Sequence, residues 1–425
     1  MQCARRKFPG LFLRRCFSSS APRHEIRDIG ALSQRLIPKY QESQGELLSL
    51  QWPAPPRNIL LVRKDCAPTV TESLIEFANH ITSTYPSTAV ILESKTAAEV
   101  HSSLPFPVYS ASLDENPTAF HNKVDLTVTL GEMAPSSMHP RSLLLAPMFP
   151  RMGTLGFLSE WKFSEFKRAF REVYMSGAGA GDRTPVLEDK VHTAADTKEP
   201  TQESMGPTGW SSVRGKSMGS TRGAPILMRN RLKVGLFTGD GQETTPIGGK
   251  SDQGKGVYVM NELLIHRGKE PHLAVVDISV GGRFLTEAVV DGIIISTPTG
   301  STAYSLSSGG SIVHPLVPSI LLTPICARSL SFRPLVLPLS TPITMRLSDK
   351  NRGRELEVSL DGVNLGQGMA TGMEVRVWNE EMRHGMNEWQ GGVPSVMRRS
   401  MGDEAHEGWV GGLNGLLKFN HPFGE

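Results

Sequence analysis

The chain has 425 residues, 39% of them apolar and 20% charged, which is enough for two domains with separate cores. Its net charge is only +3 and much of the positive excess lies near the N-terminus, so composition gives no electrostatic footprint for nucleic acid. The four cysteines (Cys3, Cys16, Cys66, Cys326) show neither metal-ligand spacing nor a disulfide pattern, and apolar runs such as 320–325 are too short to cross a bilayer.

Residues 1–24 carry Arg5, Arg6, Lys7, Arg14, Arg15 and Arg23, no acid, interspersed apolar residues and a serine cluster. That composition is expected of a transit peptide leading to the mitochondrial matrix, and its arginines interrupt any secretory apolar core. After a Pro- and Gln-containing linker, 57–63 (RNILLVR) reads as a buried parallel strand. Apolar positions at helical spacing follow over 73–82, then strands at 87–92 (STAVIL) and 124–130 (VDLTVTL). An amphipathic helix over 160–175 closes the unit. Strands alternating with helices imply a Rossmann-like α/β layer over 57–176.

Residues 177–225 are rich in Gly, Ser, Thr, Pro and charge and poor in periodic apolar positions, the pattern of a disordered insertion; 242–256 reads as a smaller one. Beyond lie short β-type runs at 232–237, 257–260, 263–266, 273–280, 292–296, 331–337, 343–347 and 355–360. Few helical signals intervene, so 226–395 is expected to be mainly β and sandwich-like, with 396–425 a tail packing back on the α/β layer.

The strongest local signal is DGIIISTPTGSTAYSLSSGGSIVHP at 291–315. A buried strand runs into a loop of Thr, Ser and Gly that offers backbone N–H groups and hydroxyls to a polar ligand, with glycines allowing close approach and Tyr304 supplying an aromatic face. On composition alone, an ordinary β-sandwich loop accounts for it equally well.

The string TPTGSTAYSLSSGG closely resembles the nucleotide-binding segment of the NAD kinase family. In the same order, 259–267 (VMNELLIHR) resembles that family's Asn-Glu motif, 153–158 (GTLGFL) a turn after the catalytic strand, and 329–338 and 360–362 (LDG) two further segments. The ending, 387–398 and 408–423, is similar to the fungal mitochondrial branch. The resemblance covers most of 57–425. It implies phosphorylation of NAD or NADH with ATP and Mg²⁺, a homo-oligomer, and no nucleic-acid or membrane partner. It further implies that Asn261 and Glu262 bind dinucleotide hydroxyls, Glu262 accepting from a ribose. Asp291 would hold the nicotinamide side, Thr302, Ala303 and Tyr304 would form a base pocket, and Ser307 would lie beside it. Taken singly, Asn261-Glu262 also reads as a strand-end turn and Asp291-Gly292 as a hairpin turn. Two rivals are a lipid kinase of the wider superfamily and a dinucleotide-binding protein without catalysis.

The resemblance also implies Gly-Gly-Asp-Gly-Thr directly after 124–130, its aspartate the general base and its glycines the phosphate cradle. Here Gly131 is followed by EMAPSSMHPRSLLLAPMFPR, which has neither, so no catalytic residue is assigned. Read in codons from the third base of Glu132, the same stretch permits Asp, forces Gly, then permits Thr, two aliphatic residues and His, and forces Ala. That is how the family motif continues. The shifted frame also permits Val-Pro-Pro at 149–151. A frameshift or misplaced splice junction across 132–151 is therefore expected, with impaired catalysis in the chain as written. Gly239-Asp240-Gly241 follows a strand of the β unit and is expected to be a hairpin turn rather than this motif.

Overall fold

The computed structural model describes residues 25–43, 46–63, 68–85, 87–111, 117–130, 148–152, 161, 163–177, 223–244, 257–366, 368–384 and 389–398. The expected transit peptide, the 178–222 and 245–256 parts of the two insertions, the 131–147 and 153–160 segments and the tail beyond 398 lie outside these residues.

Asn58–Arg63 and Leu126–Leu130 are buried along their whole length and pair in parallel at the centre of a ten-stranded sheet. Continuous apolar sequence of this kind fits a strand covered on both faces. On one side Ala89–Glu93, Val108–Ala111 and Ile26–Asp28 continue the parallel order. On the other, Met148–Met152 and Val393–Val396 extend it before Pro225–Arg229, Leu48–Gln51 and Lys39–Glu42 finish the sheet antiparallel.

The helix Pro68–Thr84 opens on proline, whose missing N–H costs nothing in a first turn. It buries Leu74, Phe77, Ala78 and Ile81, one face at helical spacing, against this sheet. Phe166–Tyr174 packs beside it, with Phe170 edge-on to Phe77 at 5.7 Å and to Tyr85 at 5.1 Å.

The second unit is two antiparallel sheets. One runs Val257–Val259, Leu232–Phe237, Glu374–Asn379, Ile343–Leu347, Ala274–Val280, Arg283–Val290. The other runs Leu335–Pro338, Ser319–Ile325, Gly292–Ser296, Glu262–His266, Glu355–Leu360, Val363–Asn364. Alternate residues of both, among them Val276, Ile278, Ile293, Ile295, Leu322 and Val358, meet in one core. The architecture is thus α/β followed by a β sandwich. Pro225–Arg229 and Val393–Val396, at the two ends of the stretch read as mainly β, are paired into the first sheet, so the chain crosses to the sandwich and returns.

Candidate functional site

A crossing between the sandwich sheets frames the site. The chain leaves Val257–Val259 in one sheet and enters Glu262–His266 in the other, so Met260 and Asn261 belong to neither ladder. Their orphan N–H groups need acceptors, and one carboxylate supplies them. Asp361 Oδ2 accepts from Met260 N–H at 2.9 Å, and Oδ1 accepts from Asn261 at 2.7 Å and Glu262 at 3.0 Å. Asp361 itself sits at φ 48° and Gly362 at φ 83°, in the two-residue turn between Leu360 and Val363. Asp-Gly is the pair that tolerates both positive angles.

The fully buried strand Gly292–Ser296 pairs with Glu262–His266 and delivers the Thr- and Ser-rich loop onto this crossing. Thr297 N–H donates to the Asn261 carbonyl at 2.9 Å, and its hydroxyl donates to the Met260 carbonyl at 2.6 Å. The same hydroxyl accepts from Gly300 N–H at 3.0 Å. A Cβ on Gly300 would lie 2.0 Å from the Asn261 carbonyl oxygen, so only glycine permits this contact. Ser301 and Ser305 are spent internally, on Pro298 and Val313 and on Thr323. The backbone N–H of Tyr304 faces the Glu262 carboxylate, and Tyr304 as a whole is 41% exposed.

The result is a buried polar pocket edge with spare acceptors. Asn261 Oδ1, Glu262 Oε2 and Ser296 Oγ are buried and have no hydrogen-bond partner among the described residues. Such groups are costly unless something supplies the missing partners. Glu262 and Ser296 are directly cross-strand, which puts their side chains on one face. Burial, and then the neighbouring charge of Asp361, pushes the Glu262 carboxyl up to about 7, against the Tyr304 N–H. Burial likewise lifts Asp361 to about 6, opposed by its three N–H donors and by Arg231. Arg231 is buried over the Tyr258 ring at 4.5 Å and forms a two-pronged ion pair with Glu380, its Nε 2.7 Å from Oε2. Arg229 links the two units: it donates to Ser395 Oγ at 3.0 Å in the first sheet and to Thr299 Oγ1 at 3.1 Å in the loop.

Of the residues expected at a site, Asn261, Glu262 and Tyr304 come together, with Thr302 and Ala303 leading into Tyr304 half-buried and Ser307 exposed one turn beyond it. Asp291 does not join them. It lies at the opposite end of the Gly292–Ser296 strand, about 17 Å away by strand rise, paired with Arg267 at 2.6 Å. It marks a crossing from one sandwich sheet to the other, not a hairpin turn. Gly239-Asp240-Gly241 forms a turn closed by Gly241 N–H to Thr238 at 2.8 Å, with Gly241 at φ 78°. Asp361, Thr297 and Ser296 were not assigned roles from sequence, although the Asp-Gly after a β run was a visible turn signal.

The Gly131 segment, where a phosphate loop is expected, leaves the carboxyl end of Leu126–Leu130 and lies outside the described residues. Ligands of open α/β sheets bind at that end. Among the described residues no group of three or more His, Cys, Asp or Glu could hold a metal ion. The described residues thus offer no cluster of three such ligands for Mg²⁺. No described helix is long and apolar enough to cross a membrane.

Residues 260–382 match the family described as the ATP-NAD kinase C-terminal domain. The chain is 33% identical to the mitochondrial NADH kinase of Schizosaccharomyces pombe, over 94% of this chain and 86% of that protein. It is 31% identical to the mitochondrial NADH kinase of Saccharomyces cerevisiae, over 89% and 84%. The crystal structure of yeast NADH kinase complexed with NADH superposes with a TM-score of 0.70 at 29% identity, covering 94% of this chain and 97% of that one.

Proposed function

The chain belongs to the NAD kinase family, and on that premise we propose that it transfers the γ-phosphoryl group of ATP to the adenosine-ribose 2′-hydroxyl of NADH or NAD. The observation that carries this reading is the set of unpartnered buried acceptors, Asn261 Oδ1 and Glu262 Oε2, held beside the loop that ends at Tyr304. Ribose hydroxyls are the donors such atoms lack, and an ionised Glu262 accepts them most strongly. Tyr304 offers its exposed ring to the base. Little covalent chemistry is asked of these residues: they bind and orient the dinucleotide, and positioning supplies much of the rate in phosphoryl transfer. A Mg²⁺ ion brought in with ATP would supply charge neutralisation at the phosphates.

A second copy of the chain completes the site. Asp291 lies at the far end of the strand from Glu262 within one chain, ion-paired with Arg267, so its expected role on the nicotinamide side would be supplied in trans. We place the protein in the mitochondrial matrix, led there by residues 1–24; both fungal relatives are named as mitochondrial.

The sequence over 132–151 favours a second reading, of a dinucleotide-binding chain with little turnover. Pro135, Pro140, Pro147 and Pro150 lack N–H donors and have fixed φ, so this stretch is a poor phosphate cradle. One comparison separates the readings: ATP-dependent formation of NADPH from NADH, by the chain as written and by a version restored to the shifted frame. We expect near-absence of product in the first, since loss of a positioned base alone costs roughly 10²–10⁴-fold, and turnover in the second. Equal rates would refute both the frameshift reading and the assigned aspartate.

A further inference from the structure

We propose that Asp361 is a positioning residue for dinucleotide binding: its carboxylate holds the Met260–Glu262 crossing so that the Asn261 and Glu262 side chains face the ligand. This assignment rests on the dinucleotide reading above. The geometry supports it on four counts. Three consecutive N–H groups converge on one carboxylate at 2.7–3.0 Å, which fixes the backbone of both binding residues. Asp361 takes a left-handed φ of 48°, which with Gly362 at 83° makes the tight Asp-Gly turn that places its carboxylate at the crossing. Its partner residues carry the two unpartnered acceptors Asn261 Oδ1 and Glu262 Oε2, whereas Asp361 itself is fully used. Thr297 holds the carbonyls of Met260 and Asn261 and Gly300 packs on the latter, so the clamp takes the N–H groups of the crossing and the loop two of its carbonyls.

The first sheet contains an internal control. Asp125 clamps three N–H groups in the same way, from Leu36 at 2.6 Å, Arg57 at 2.7 Å and Asn58 at 2.9 Å. It does so at the start of Leu126–Leu130, the end of that strand remote from Gly131. A purely structural clamp at 361 should therefore behave like the clamp at 125.

The test uses the full chain, NADH as the probe, and affinity measured by calorimetry across pH 5.5–8.5. Asp361→Asn keeps the shape but turns one acceptor into a donor facing Met260 N–H. NADH affinity should fall about tenfold, the loss expected for a misaligned hydrogen-bonded pair. The midpoint of its pH dependence should move lower, because the carboxylate beside Glu262 is gone; the other groups facing the pair are Arg231, Glu380 behind it, and the Tyr304 N–H. Asp361→Glu retains charge but is a methylene too long to meet all three N–H groups, so affinity should fall with the midpoint in place. Asp125→Asn should lower melting temperature and leave NADH affinity unchanged. Unaltered affinity and midpoint in Asp361→Asn, or an equal affinity loss in Asp125→Asn, overturns the assignment. Failure of both Asp361 variants to fold makes the residue a folding determinant and also overturns it. If the unaltered chain does not bind NADH, the dinucleotide reading fails and this inference with it; binding by the unaltered chain with no response at 361 sinks this inference alone.

Discussion

At Glu262 the proposed dinucleotide contact coincides with a buried, destabilising charge. Its carboxyl is held up near 7 by burial and by Asp361, whereas an unfolded glutamate titrates near 4.5. The folded state thus holds this proton more tightly than the unfolded one. Its stabilising contribution is complete below pH about 4.5 and is lost as pH rises through about 7. Glu262→Gln removes the penalty. The melting temperature of Glu262→Gln should match the parent near pH 4.5 and exceed it increasingly toward pH 8, while NADH affinity falls. A constant difference across that range in thermal unfolding scans would contradict the assigned titration. Gly300 makes a complementary case. Any Cβ there overlaps the Asn261 carbonyl, so Gly300→Ala should destabilise by about 1–3 kcal/mol and weaken NADH binding together; a denaturant series and a titration on the same preparation would show whether the two move in step.

At the scale of elements, the join between the first sheet and the sandwich carries the buried ion pair Arg231–Glu380, to which Gly392 N–H adds a bond at 2.8 Å. Arg231 lies between Pro225–Arg229 and Leu232–Phe237, and Glu380 follows directly on Glu374–Asn379, so the pair fixes where the chain crosses between units. Removing one partner leaves a buried charge. Glu380→Ala should cost about 3–5 kcal/mol in chemical unfolding, far more than loss of the exposed Arg383–Glu381 pair.

The elements themselves were unevenly legible in sequence. Gly292–Ser296, Ile343–Leu347, Glu355–Leu360 and Leu232–Phe237 were expected at these same bounds, because buried strands carry their apolar residues in short, bounded runs. Lys39–Glu42 and Arg283–Val290 were not. Both are edge strands, with Phe284 and Leu285 exposed, so no clean alternation marks them. The 331–337 expectation resolved into Leu335–Pro338 because Phe332 N–H closes a turn on Ser329 at 3.1 Å. The candidate site was legible where it depends on side-chain identity, as at Asn261, Glu262 and Tyr304. It was not legible where it depends on long-range backbone capture: nothing local links Asp361 to residues a hundred positions earlier.

For the whole molecule, the membership of the NAD kinase family and the α/β plus sandwich architecture agree, and the buried acceptors at 261–262 lie where dinucleotide binding is proposed. Addressing is separable from catalysis: residues 1–24 fused to a fluorescent reporter should carry it into the mitochondrial matrix, and a diffuse cytosolic signal would refute that placement. The claim on which the rest depends is that the pocket between the Asn261–Glu262 crossing and Tyr304 binds the dinucleotide. Calorimetric titration of NADH into the purified full chain tests it without requiring turnover. Saturable binding should be seen, with Glu262→Ala and Tyr304→Ala each weakening it by about 1–3 kcal/mol for a lost buried hydrogen bond or stacking partner. No binding by the parent chain, or unchanged affinity in both variants, would contradict the account.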